Sequence, residues 1–130
     1  MIAVDTNVLL RFVLRDDEGQ FTRASAFFNS RTADDPAFVS LIVLAEFVWA
    51  LRRRYRYSRA EARSLVATLL ETAEISFEDE VSLSRIVAEA ERGDLADHLI
   101  SYSAARAGCT STVTFDQKAA AAIYSMELLA

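Results

Sequence analysis

The sequence predicts a single α/β domain whose mostly parallel sheet is covered by helices on both faces. Three observations lead there. Short apolar segments of strand length alternate with longer segments of helical period, the pattern of strands joined by helical crossovers. Only 3 Gly and 1 Pro leave few breaks, which favours long helices with short connections. Two acids, Asp5 and Asp116, directly follow apolar strand segments, and the carboxyl end of a parallel strand is where open α/β sheets place their chemistry.

The elements follow in order. Strand Ile2–Val4 is predicted first, then helices over Asn7–Leu14 and Gln20–Ser30. Asp34-Asp35-Pro36 confines the one proline to a turn before strand Ala37–Val39. A long helix is expected over Leu41–Arg54. Ser58 suits the N-cap of the next helix, because Glu61 three residues on completes a capping box. Ile75–Phe77 reads as a third strand and Val81–Glu91 as a helix. Gly93-Asp94 makes a turn before helix Leu95–Ala107, which Gly108 stops. Strand Thr112–Phe115, helix Gln117–Ile123 and a short fifth strand over Met126–Leu128 complete one domain spanning residues 1–130, with no repeat or linker.

Composition narrows the functional classes. A hydrophobic content of 52% with 25% charged residues describes a folded chain with a core of its own, not a disordered one. No basic segment precedes the first apolar residues, so no signal peptide is expected. The most apolar stretch, Phe38 to Leu51, is interrupted by Glu46 and is too short for the roughly 20 residues that span a bilayer. Cys109 is the sole cysteine, which excludes an internal disulfide and fits a reducing cytoplasm. The net charge of −5 argues against nucleic-acid binding through a bulk positive field, although a local basic patch or metal ions can replace one.

Two further acids join Asp5 and Asp116 through chain direction. A helix that follows a parallel strand starts at the sheet's carboxyl edge, so Glu46 lies about one and a half turns into the helix after Val39. The helix that feeds Thr112–Phe115 must run antiparallel to that strand, which returns Asp97 in its first turn to the same edge. Two carboxylates about 4 Å apart repel by roughly 4 kcal/mol at an effective dielectric near 20. Four together would consume much of the roughly 5–15 kcal/mol that keeps a domain folded, so either some take up protons or a cation sits among them. Oxygen ligands select Mg²⁺ or Mn²⁺, and one His with one Cys cannot build a zinc site. Metal-assisted phosphodiester hydrolysis is the reaction class this donor set serves.

The same residues carry a family resemblance. Val4-Asp5-Thr6-Asn7-Val8-Leu9-Leu10 resembles the opening motif of PIN-domain ribonucleases. Glu46, in Ser40-Leu41-Ile42-Val43-Leu44-Ala45-Glu46, matches the acid that family carries on the helix after its second strand. Asp94-Leu95-Ala96-Asp97-His98-Leu99-Ile100 is similar to the third motif, with Asp97 as the metal acid, and Thr114-Phe115-Asp116 to the fourth. Size and motif style most resemble the VapC toxins of bacterial toxin–antitoxin pairs. The resemblance implies a PIN-like three-layer fold with strand order 3-2-1-4-5 and Mg²⁺ or Mn²⁺ as cofactor. It also implies an RNA substrate, a small antitoxin partner that blocks the site, and a homodimer. His98 stands where the family usually has a small residue, and Leu95 replaces a common Phe.

Around the four catalytic and metal candidates, Thr6, Asn7, Asp94 and Thr114 are candidates for supporting contacts to the acids or the ion. Asp94 reads first as the N-cap of its helix. Glu46 lies in an apolar run, where a buried acid would need a partner. The run Arg52-Arg53-Arg54-Tyr55-Arg56-Tyr57 makes Arg52, Arg53, Arg54 and Arg56 candidates for RNA binding, against the plainer reading of a solvated helix end. Phe12, Phe47 and Trp49 read as core or interface. A receiver-like phosphoacceptor is the rival from another class. It would want an acid pair after the first strand, an Asp after the third and a later Lys. The order here, with Glu78-Asp79 after Phe77 and Lys118 beyond the fourth acid, fits it badly. A non-catalytic binding domain of the same fold is another rival.

Overall fold

A computed structural model, describing residues 1–129, contains each of these elements with boundaries within two residues of expectation. Strand β1 (Ile2–Ala3) leads into helices α1 (Thr6–Val13) and α2 (Glu18–Asn29). Strand β2 (Ala37–Val39) leads into α3 (Leu41–Arg53) and α4 (Arg59–Leu70), and β3 (Ile75–Phe77) into α5 (Glu80–Glu89) and α6 (Leu95–Arg106). Strands β4 (Thr112–Thr114) and β5 (Met126–Leu128) bracket α7 (Gln117–Ala122). Helix starts are set by side-chain caps. Asp17 accepts from the Gln20 N–H, which begins α2 two residues earlier than the apolar pattern suggests, and Ser40 accepts from Val43 N–H. Ser58 and Glu61 form the full reciprocal capping box.

All strand pairs are parallel. β1 pairs with β2 through Ile2–Ala37 and Ala3–Phe38, and β2 pairs with β3 through Ala37–Ile75, Phe38–Ser76 and Val39–Phe77. β4 and β5 form a separate pair. The expected order 3-2-1-4-5 is therefore realised as 3-2-1 and 4-5, with no hydrogen-bonded seam between β1 and β4. Chain geometry gives a reason. Ile2 and Val4 aim their N–H groups at β2, bonding Pro36 and Phe38 carbonyls, so within the two-residue β1 only Ala3 can offer its polar groups to the other side.

The apolar core centres on α3. Leu44, Phe47, Val48 and Leu51 repeat at helical spacing and are essentially inaccessible, together with Leu9, Leu10, Val39, Val66, Leu83 and Leu99. Phe12 packs against this core and stacks on Phe28 with ring centroids 4.2 Å apart. Trp49 belongs to the opposite face of α3 with Ile42 and Glu46, and is 53% exposed. A second, smaller cluster of Ala119, Ile123 and Met126 holds the β4–α7–β5 unit together. Among the described residues no helix is long and apolar enough to cross a membrane.

Candidate active site

The first half of the site is built on α1 and α3. Asp5 caps α1, its Oδ1 accepting from the Val8 N–H at 3.0 Å, and it is exposed. That cap uses one oxygen of the carboxylate and leaves Oδ2 uncommitted. Thr6, the first residue of α1, donates its hydroxyl to Glu46 Oε1 at 2.9 Å. Glu46 is not buried as its apolar neighbours in sequence suggest. It faces outward because the stripe of Leu44, Phe47, Val48 and Leu51 claims the other side of the helix. A groove of about 490 Å³ runs past Thr6, Glu46, Trp49, Arg54 and Ile100, and Asn7 lies between this groove and the cavity lined by Asp5.

The second half lies on α6 and α7. Asp116 caps α7, with Oδ1 accepting from Lys118 and Ala119 N–H groups, and Thr114 Oγ1 accepts from Asp116 N–H at 3.0 Å to pin the turn. Asp97 lies in the first turn of α6, partly buried. Burial pushes its carboxyl above the ordinary range, and the charges of Asp94 and then Asp116 add to the rise, opposed by His98 and Arg53. Asp94 occupies the N-cap of α6 without a side-chain capping bond; its carboxylate accepts from Arg52 Nε at 2.8 Å instead. His98 Nε2 lies 2.6 Å from the Arg92 carbonyl, a contact that ties α6 to the turn before it.

Contacts tie Glu46 to Thr6 at the start of α1, and Asp97 and Asp116 line one cavity at the α6–α7 junction. Among the described residues, no three His, Cys, Asp or Glu side chains lie close enough to hold an ion by themselves. Asp97 with Asp116 still fits a hard divalent cation. Mg²⁺ is commonly held by one or two carboxylates while keeping several waters, and the strained ionisation of Asp97 is what a cation relieves.

The cavity beside Asp97 and Asp116, of about 880 Å³, is lined by Arg52, Arg53, Arg59, Arg92 and Lys118 as well as by Asp94. Of the four arginines singled out in the sequence, Arg52 and Arg53 reach it. Arg54 lies over the Tyr55 ring and lines the Glu46 groove, and Arg56 sits in the following turn with a left-handed backbone, φ 57°. Arg59 lies just beyond the run that sequence inspection singles out, and Arg92 and Lys118 escape it because each stands apart from other cations. The acids after β3 have structural duties: Glu78 Oε1 accepts from Leu41 N–H at 2.9 Å, and Asp79 takes the Tyr102 hydroxyl. The phosphoacceptor reading loses its acids there.

A family model described as PIN domain matches residues 2–123, which takes in all four acids and both halves of the site. No curated protein matches the chain.

Proposed function

The chain belongs to the PIN-domain family, a nuclease-type fold, and from that premise we propose that it is a Mg²⁺- or Mn²⁺-dependent endoribonuclease of the VapC type, the cytoplasmic toxin of a toxin–antitoxin pair. The observation that carries the nuclease reading is that Asp97 and Asp116 line one cation-rich cavity, where burial and nearby acids raise the Asp97 carboxyl. The toxin role, the antitoxin and the homodimer rest on the likeness of the four motifs to that toxin group.

Asp97 and Asp116 would hold the ion, with Asp5 and Glu46 as the remaining acids of the set. When bound, such an ion acidifies a water and offsets charge on the scissile phosphate. The protein's own groups prepare the site. The Thr6 hydroxyl fixes the orientation of Glu46, and the Thr114 hydroxyl and the α7 amides fix Asp116 while using a single oxygen of its carboxylate. Arg53 tempers the charge of Asp97 without pairing to it within 4.0 Å. His98 is engaged by the Arg92 carbonyl, which leaves water activation to the acids.

The decisive test is cleavage of total cellular RNA by the purified chain with Mg²⁺ or Mn²⁺, with EDTA, and beside Asp116→Asn. Discrete products that need the metal and fall at least about a hundredfold in the variant are expected, in keeping with the loss of a group that stabilises the transition state. Intact RNA at every metal concentration would overturn the reading.

A further inference from the structure

The cavity that holds Asp97 and Asp116 also collects an excess of positive charge, in a chain whose net charge is −5. Its cations come from four places in the sequence: the end of α3 (Arg52, Arg53), the start of α4 (Arg59), the α5–α6 turn (Arg92) and α7 (Lys118). Five cations face three carboxylates there. Arg52 is already committed, donating to Asp94 and, through Nη1, to the Tyr57 carbonyl at 2.8 Å. Arg53, Arg59, Arg92 and Lys118 are exposed, and none is ion-paired to a described residue. With Arg52 paired to Asp94, four cations face Asp97 and Asp116, and folding does not explain this surplus of like charges converging from separate elements.

We propose that Arg53, Arg59, Arg92 and Lys118 form a cradle for the phosphodiester backbone of an RNA strand, seating it on the Asp97–Asp116 side of the site. This rests on the nuclease reading and assigns the strand its path. Three of the four are arginines, whose planar fork matches two phosphate oxygens at once, and the contacts carry no base information. The cradle therefore binds along the backbone without regard to sequence. The cations also offset the charge that an acidic cleft would otherwise present to an anionic substrate. The contact between His98 and the Arg92 carbonyl, with Gly93 beyond it at φ +80°, holds the Arg92 turn against α6 and keeps one wall of the cradle in place.

The test is binding of a labelled single-stranded RNA in EDTA to the Asp5→Asn chain, titrated over a range of salt. In that background Arg59→Gln/Arg92→Gln is compared with Arg85→Glu, which changes net charge equally on the exposed surface of α5. The cradle variant should lose about tenfold or more in affinity, and its salt slope should fall by about 1.4, the value for two lost phosphate contacts on a single strand. Arg85→Glu should change neither by as much. If the double variant fails to melt cooperatively, Lys118→Gln replaces it, with an expected slope change of about 0.7. Equal losses in the cradle and control variants, an unchanged slope, or no RNA binding by the parent would each overturn the cradle. So would selective loss of an acidic peptide in place of RNA. RNA bound through these residues but never cut by the unmutated chain would keep the cradle and remove the nuclease reading.

Discussion

The surroundings of Asp97 raise its carboxyl, and the sign of that shift makes a prediction. Burial, Asp94 and Asp116 all disfavour its ionised form, so its folded-state carboxyl titrates higher than in the unfolded chain. Such a group stabilises the fold while protonated, and that contribution is lost as pH rises through the raised folded value. In metal-free protein Asp97→Asn should therefore melt above the parent at neutral pH. The gain should vanish as pH falls below the ordinary carboxylate range, about 4, because the parent then protonates Asp97 itself. Mg²⁺ should reverse the ranking by stabilising the parent and leaving the variant unmoved. Equal melting of the two proteins at all pH values would show that Asp97 feels neither burial nor its acidic neighbours. Asp5 and Asp116 teach a complementary lesson: each caps a helix through Oδ1 alone, so capping and ligation do not compete for the same atom.

Helices were legible where local chemistry marks their ends. The Ser58–Glu61 box shows this most directly, and Ser58→Ala should cost about 1 kcal/mol in denaturant unfolding, with the m-value unchanged. A loss near zero would mean that tertiary packing, not the cap, holds the start of α4. The two faces of α3 were harder to read. Ile42, Val43, Ala45 and Trp49 surround Glu46 in sequence, and a helix apolar on nearly every side gives periodicity little to choose between. Only the packing of α1, α4 and α6 against it decides that Leu44 turns inward and Glu46 and Trp49 outward. Leu44→Ala should cost about 2–5 kcal/mol as a cavity in the core, whereas Ile42→Ala on the exposed face should cost well under 1 kcal/mol. The cation cradle was only partly legible: the run from Arg52 to Arg56, with Arg59 close behind it, draws attention by adjacency, while Arg92 and Lys118 join it only through the fold.

Chain direction placed the four acids at one edge but could not say which strands hydrogen-bond, and the whole molecule turns on that distinction. The β3-β2-β1 sheet and its helices share one apolar core, while β4, α7 and β5 are held by a small cluster of their own. What joins them is sparse. The Ser101 and Ser125 hydroxyls bond to each other, and Gly93 packs so closely on Ala122 that an added Cβ would stand 3.1 Å from the alanine methyl. Regions with few buried apolar contacts open locally, at lower free energy than global unfolding. Amides of β4, α7 and β5 should therefore exchange with deuterium faster than those of α3 between Leu44 and Leu51, which exchange only when the core opens. Asp97 lies on the main body and Asp116 on the smaller unit, so an ion shared between them is a cross-link. Mg²⁺ should slow exchange across β4 and α7 and leave α3 unchanged, and Asp116→Asn should abolish that slowing. Protection that is uniform along the chain and indifferent to Mg²⁺ would mean that the two units open as one and that no ion bridges Asp97 and Asp116.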